Sequence, residues 1–178
     1  MLFRSVATVE EGIYLRKSGI KKEILILGSL YPFCSFEYIL KYDLTPTISS
    51  LYIAQELSKF CVQNNKSISV HIKIDTGMGR IGLLLEHSEE IINKILELQN
   101  IKIDGVYTHI SNAGNDQNFT KNQIEKFKIL RNKFKNIKYF HLANTETFFE
   151  YDDMEFDMVR VGLAFYGIYK HQDLKPVM

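Results

Sequence analysis

Short runs of apolar residues alternate with amphipathic stretches along this 178-residue chain. The run 23–28, with the sequence EILILG, is almost continuously apolar, as in a strand that is buried on both faces of a parallel sheet. The segment that follows has one apolar helical face, formed by Leu51, Ala54, Leu57 and Cys61. Because this order of strand and helix repeats, the sequence predicts βαβ units and an α/β fold.

The pattern predicts about seven parallel strands and five or six surrounding helices. The predicted strands are 2–7, 23–28, 45–48, 69–75, 105–110, 139–143 and 157–161. The predicted helices are 9–18, 35–41, 51–61, 89–98 and 120–134. Capping boxes at Thr8–Glu11 and Thr120–Gln123 mark two of the helix starts. Since a (β/α)8 barrel has one strand more, we expect an incomplete TIM-like barrel with open edges near Ala7 and Arg160, which would favour association with another chain.

Composition excludes several classes of protein. Lys and Arg number 22 against 21 Asp and Glu, so the net charge of +1 does not favour a nucleic-acid or anionic membrane partner. No apolar run approaches the roughly 20 residues of a membrane span, and the N-terminus does not resemble a signal peptide. The two cysteines, Cys34 and Cys61, have no CxxC spacing, so we expect no disulfide framework, no metal site and a cytoplasmic location.

Polar residues concentrate where strands are predicted to end. Segment 69–75 alternates strictly, which indicates that His71, Lys73 and Asp75 share a face and that at least one charge points inward and needs a partner. In a (β/α) barrel the site lies at the carboxyl ends of the strands. Four segments qualify: 73–82, 107–109, 141–145 and 158–163.

Each segment also has a purely structural interpretation. The glycines of 73–82 fit an ordinary tight turn as well as a ligand loop. Lys73 could extend its amine to solvent, and His109 alone is typical of a structural histidine. Arg160 could form a salt bridge with Asp157 or Asp153.

Four motifs in register carry a family resemblance. KIDTGMGRIG at 73–82, His109, HLANT at 141–145 and VRVGLAFYG at 159–167 together resemble the alanine racemases, two-domain enzymes that use pyridoxal 5′-phosphate (PLP, fold type III). The resemblance covers essentially all of residues 1–178 and falls within the N-terminal barrel domain of that family. It implies a partial barrel domain without the C-terminal β domain.

The resemblance also implies roles for individual residues. Arg80 would address the phenolic oxygen of PLP and the substrate carboxylate, His109 would lie against the ring, and Arg160 would donate to the pyridine nitrogen. A carbamylated Lys73 would brace Arg80. The cofactor-binding set is completed by Asn144, Thr145, Gly162 and Leu163, with the last three near the phosphate, where loops after the final strands bind anions.

The activity implied is the interconversion of L- and D-alanine for peptidoglycan precursors, in a homodimer. Its two bases, a Schiff-base lysine on the first strand and a tyrosine from the partner's C-terminal domain, have no counterpart in a matching context, so we expect the isolated chain to be inactive without a complementing fragment. A single-domain PLP-homeostasis protein and a non-catalytic remnant or interaction protein are the alternatives. The sequence indicates a small amino acid as substrate but does not identify its side chain, so a serine racemase is also consistent with it.

Overall fold

The computed structural model describes residues 3–31, 33, 35–151 and 156–168. These residues form eight strands: β1 (Phe3–Val6), β2 (Glu23–Ile26), β3 (Thr47–Ile48), β4 (Ile68–Asp75), β5 (Leu83–Leu84), β6 (Ile101–Tyr107), β7 (Tyr139–Ala143) and β8 (Met158–Val159). The helices are α1 (Val9–Lys17), α2 (Ser35–Lys41), α3 (Leu51–Gln63), α4 (Leu85–Leu96), α5 (Gln117–Lys133) and α6 (Thr145–Glu150), followed by a 3-10 helix (Leu163–Tyr166).

All strand pairings are parallel, as the βαβ pattern predicts. β1 pairs with β2, and a second sheet has the order β3-β4-β6-β7-β8, with the short β5 also against β4. A parallel bridge between Leu25 and Thr45 connects the two sheets. Within the described ranges β1 and β8 each pair with a single strand, so the chain forms most of a barrel and the predicted fold class is confirmed.

The core lies between the strands and the inner faces of the helices. Ile24, Ile72 and Val106 are fully buried on three different strands. The apolar face predicted for α3 is confirmed, because Ala54, Leu57 and the free Cys61 are completely buried. Cys34 lies outside the described residues. Among the helices that are described, none is long and apolar enough to span a bilayer.

Helix starts follow their caps, and one predicted cap is wrong. At α1 the Thr8 hydroxyl accepts from the Glu11 N–H at 3.3 Å, and the Glu11 carboxylate accepts from the Thr8 N–H, so the first capping box is confirmed. At α5 the carboxylate of Asp116 accepts from the Phe119 N–H at 2.9 Å, so the helix begins at Gln117. The predicted box at Thr120 is therefore inside the helix.

Two further boundaries differ from the sequence pattern. β6 spans Ile101–Tyr107 rather than 105–110, because residues 101–103 already pair with residues 68–70 of β4. α4 begins at Leu85 without a side-chain cap, which left its start without a sequence signal. Both faces of β4 are buried, and Lys73 is buried beside His71, so the inward-pointing charge predicted from the alternation is confirmed.

Candidate active site at the carboxyl ends of the strands

The fold brings the predicted site residues to one end of the sheet. Lys73 lies near the end of β4, and His109 follows β6 by two residues. Thr145 begins the helix after β7, and Arg160 directly follows β8. Because neighbouring parallel strands end at the same edge, these side chains belong to one surface.

The loop after β4 is organised by one carboxylate. Asp75 accepts from the N–H groups of Gly77 and Met78 at 2.8 Å and from that of Gly79 at 2.9 Å. These bonds lower the pKa of Asp75 against the effect of burial. Gly77, Gly79 and Gly82 all have positive φ angles, as expected for a loop with unusual backbone angles. This loop carries Arg80, which is exposed and forms no ion pair with a described residue.

Lys73 is a buried cation without an acidic partner among the described residues. Its side chain is 2% exposed, and Nζ donates to the Ile74 carbonyl at 2.9 Å and lies 5.4 Å from the Tyr107 ring centroid. Burial, reinforced by the charge of Arg160, lowers the pKa of Lys73 to about 8. The amine does not extend to solvent, which excludes the structural alternative considered above. A neutral or anionic form of Lys73 would avoid the free-energy cost of burying a cation without an ion pair.

Four hydrogen-bond acceptors fix the guanidinium of Arg160. Nη1 contacts Nδ1 of His141 at 2.7 Å and the His141 carbonyl at 3.3 Å. Nη2 donates to the carbonyls of Thr108 and Leu142, at 2.7 and 3.3 Å. A guanidinium has five N–H donors, and these contacts engage both terminal nitrogens twice. Within the described residues, the Nε–H is left as the donor available to a ligand.

The Asp157 alternative for Arg160 is not supported. Asp157 instead pairs with Arg131 at 3.4 Å and accepts from the Phe140 N–H, and Asp153 lies outside the described residues. Burial lowers the pKa of Arg160 to about 10, so the guanidinium stays charged near neutral pH.

His109 is neutral near neutral pH. Burial is the main cause that lowers its pKa to about 4, and the charges of Arg160, Lys73 and Arg80 act in the same direction. The side chain is therefore a neutral imidazole next to three cations, which suits contact with an aromatic ring or hydrogen bonding.

Hydroxyl and backbone groups after β7 and β8 meet at one point. The buried Thr145 hydroxyl accepts from the Gly162 N–H at 3.2 Å, next to Leu163 at the start of the 3-10 helix. Asn144 has a different task, because it caps α6. Its Oδ1 accepts from the Thr147 N–H at 2.9 Å, and its Nδ2 donates to the Ile110 carbonyl. Asn144 therefore orients Thr145 through the helix start.

The comparison with known proteins agrees with these motifs. The family model of the alanine racemase N-terminal domain matches residues 4–170. The chain belongs to the alanine racemase family. Alanine racemase from Carboxydothermus hydrogenoformans is 39% identical over 175 residues, which are 96% of this chain and 47% of that protein. The Clostridium tetani protein is 37% identical and is covered to 48% of its length.

Solved alanine racemases have the same fold. The Clostridium difficile 630 structure matches with a TM-score of 0.90 at 33% identity, over 97% of this chain and 46% of that one. A second Clostridium difficile structure, in complex with cycloserine, matches with a TM-score of 0.91 at 32% identity. The chain spans about half the length of the curated relatives it matches. These matches confirm the predicted family.

In this member of the alanine racemase family, two side chains to which the sequence patterns gave no role in the site support it. Tyr107 lies under two cations, with its ring centroid 5.0 Å from Cζ of Arg160 and 5.4 Å from Nζ of Lys73. Its hydroxyl lies 2.9 Å from that of Thr47. The only sequence signal was its position as the last residue before Thr108 and His109.

Gln123 joins two loops of the site. It is 1% exposed, and its Nε2 donates to the Thr76 hydroxyl at 3.1 Å and to the His109 carbonyl at 3.3 Å. Its Oε1 accepts from the Ser111 N–H. Helix α5 thus holds the ends of β4 and β6 in place. No sequence signal marks this role, because a single Gln in a helix is usually exposed.

Proposed function

We propose that this chain supplies the PLP-binding barrel of a racemase that interconverts L- and D-alanine. The observation that carries the proposal is the Arg160 guanidinium, whose terminal nitrogens are engaged by four acceptors while the Nε–H has no partner among the described residues. A fixed, charged donor at the carboxyl ends of the strands fits a neutral ring nitrogen that accepts one hydrogen bond.

The other residues fit the remaining parts of PLP. Thr145 and Leu163 supply a hydroxyl and a backbone N–H for the phosphate, and the Gly162 N–H, which donates to the Thr145 hydroxyl in the structure, would turn to the phosphate when it is bound. The neutral His109 suits contact with the ring. Arg80 is exposed and free of ion pairs with described residues, so it is available to the phenolic oxygen and to a substrate carboxylate. Asn144 acts through the helix start.

Racemisation follows from the donor at the ring nitrogen. When bound, PLP withdraws electrons from the substrate Cα. Arg160 donates a hydrogen bond but keeps its proton, because its pKa of about 10 is far above that of a pyridine nitrogen. Limited electron withdrawal favours the return of a proton to Cα over the breaking of other bonds.

The rest of the proposal concerns the whole enzyme. The whole enzyme would act on a small amino acid, form a homodimer in the cytoplasm and supply D-alanine for the cell wall. A lysine that binds PLP covalently and a tyrosine base would come from polypeptide outside the motifs present here. Lys73 would be carbamylated, which turns a buried unpaired cation into an anion beside Arg80.

PLP binding by the chain itself is the first test. We expect saturable binding in a fluorescence or calorimetric titration, weakened at least about tenfold by Arg160→Gln, which removes a charged donor. Arg131→Gln, a partly buried arginine that pairs with Asp157, is the matched control and should leave the affinity unchanged. No saturable binding by the wild-type chain would favour a non-catalytic remnant.

Complementation is the second test. The chain is co-expressed with a polypeptide that carries the lysine-bearing strand and the tyrosine-bearing domain of a relative. We expect the absorbance of lysine-bound PLP and racemisation of L-alanine in the mixture, and neither from the chain alone. A mixture that binds PLP through lysine but does not racemise amino acids would favour a PLP-homeostasis role.

A further inference from the structure

Two buried histidines extend from Arg160 into the core. Nδ1 of His141 lies 2.7 Å from Nη1 of Arg160, and Nε2 of His141 lies 2.9 Å from Nδ1 of His71. Both imidazoles are completely buried. The result is a chain of hydrogen bonds that leads from the site to the first residues of β1 and β7, where Phe3 and Tyr139 contact the His71 ring.

The chemistry of the donors determines the direction of these hydrogen bonds. Arg160 can only donate, so Nδ1 of His141 must accept and carries no proton. A neutral His141 then has its proton on Nε2 and donates to Nδ1 of His71. His71 in turn has its proton on Nε2. Burial supports neutral rings, since it lowers the pKa of His71 to about 4 and that of His141 well below its usual range.

The last donor of this series of hydrogen bonds has no acceptor among the described residues. Nε2 of His71 is buried and makes no hydrogen bond with any described residue. An unsatisfied buried donor destabilises the fold, and an apolar side chain of similar size would avoid this cost. A structural role alone therefore does not explain a histidine at this position.

The surrounding backbone is adapted to the ring of His71. A Cβ on Gly105 would lie 2.5 Å from Nδ1 and Cε1 of His71, so only glycine leaves enough room there. The register of β4 and β6 also shifts at His71, where Val70 pairs with Ile103 and His71 with Gly105. Both features keep the imidazole within reach of His141.

We propose that His71 is a positioning residue, which holds the ring of His141 and through it the guanidinium of Arg160, so that the Nε–H stays available to the ligand. The hydrogen-bond chain itself does not depend on the proposed function. The consequence for PLP rests on that function, since it takes Arg160 as the donor to the cofactor.

The tautomers of the wild-type chain provide the first test. Nitrogen-15 NMR should show Nδ1 unprotonated and Nε2 protonated in both His71 and His141, without any added ligand. A proton on Nδ1 of either ring, or a charged imidazolium at neutral pH, would overturn the proposal. This measurement needs no variant.

Substitutions at His71 provide the second test. His71→Leu removes the acceptor, so the protected Nε2–H signal of His141 should disappear and the Arg160 side-chain signals should shift. PLP binding should weaken about tenfold, as expected for a displaced charged donor. His71→Asn keeps an acceptor near Nδ1 and should restore most of both. Val70→Ala, a fully buried neighbour without a side-chain hydrogen bond, should change neither.

A double-mutant cycle shows whether His71 acts through Arg160. In the Arg160→Lys background, His71→Leu should not weaken PLP binding further. Additive losses, or a folded His71→Leu chain with unchanged His141 and Arg160 signals, would overturn the proposal. If the wild-type chain does not bind PLP, the proposed function fails, while the NMR signals still decide whether His71 holds His141 and Arg160. If His71→Leu does not fold, the wild-type tautomers and His71→Asn decide the outcome.

Discussion

At the scale of single residues, the site contains three cations, Lys73, Arg80 and Arg160, and none of them forms an ion pair with a described residue. Among the described residues, Lys73 donates to a carbonyl and lies over the Tyr107 ring but forms no ion pair. The nearby Asp75 raises the pKa of Lys73 only in part, because its carboxylate accepts from three backbone N–H groups of its own loop. Such an arrangement is unfavourable for folding and favourable for binding an anion. It predicts a stability that depends on the charge of Lys73.

Lys73 should contribute a rise in stability with pH above 8, against the opposite contribution of the buried Cys61 thiol, whose pKa is raised to about 11. Its pKa falls from 10.5 to about 8 in the folded chain, so between these values the unfolded chain binds more protons and each rise in pH favours the fold. In urea unfolding without bicarbonate, this rise should be absent from Lys73→Met, which should also be about 1–3 kcal/mol more stable at neutral pH. Lys121→Met, at an exposed position, should keep the wild-type dependence.

Equal pH dependence in wild type and Lys73→Met would contradict this account of Lys73. The same pair of proteins tests carbamylation. Carbon-13 bicarbonate added above pH 8 should give a carbamate signal in the wild-type chain that is missing from Lys73→Met.

At the scale of elements, the loop after β4 shows how glycines allow a tight return of the backbone. Gly82 has a φ of +128°, and a Cβ there would lie 2.9 Å from the Asp75 N and 3.0 Å from the Lys73 carbonyl oxygen. Gly79 has a φ of +68° with open space around it. At Gly82 both the backbone angle and the lack of space favour glycine, whereas at Gly79 only the backbone angle does.

Alanine at these two positions should have unequal effects. Gly82→Ala combines backbone strain with a clash against main-chain atoms, which should reduce the free energy of unfolding by about 3 kcal/mol. Gly79→Ala places an alanine in the left-handed backbone region without a clash, which should reduce the free energy of unfolding by about 1 kcal/mol. Urea unfolding of both variants measures the difference, and equal costs would show that the loop relaxes around an added Cβ.

At the scale of the whole molecule, the described chain has a gap between β1 and β8. A cavity of about 280 Å³ lies there, with Phe3 and Ser5 on one side and Met158 and Val159 on the other. Each of these strands has one strand partner within the described residues, so backbone groups on the other edge are open to pairing. Such edges promote association between chains.

Self-association of the isolated chain should therefore be reduced by a charge on this edge. Val159 is 48% exposed on β8, and Val159→Lys should lower the mass measured by light scattering at a given concentration. Ile129→Lys, on the exposed face of α5 and 60% exposed, is the control for general solubility. A similar decrease in both variants would show that hydrophobicity, rather than the strand edge, drives association.

Much of the fold was predictable from local patterns. α2 and β7 have the predicted bounds, and the capping box at Thr8 is in place, because these signals depend on residues within one turn or one strand. The start of α5 was wrong because Asp116 competes with Thr120 as a cap, and only the surrounding packing decides between them. β5 is a two-residue strand, too short to have a sequence pattern.

The sequence by itself determined the parallel α/β fold, the family and the strand ends at which the site residues lie, because periodicity and motif spacing are local properties. Only the tertiary structure decided which polar groups stay available to a ligand. Asn144 is committed to a helix cap, and the terminal nitrogens of Arg160 are engaged by residues on other strands. Hydrogen bonds between residues far apart in sequence depend on packing, and so does the buried pair His71 and His141 that leads from Arg160 into the core.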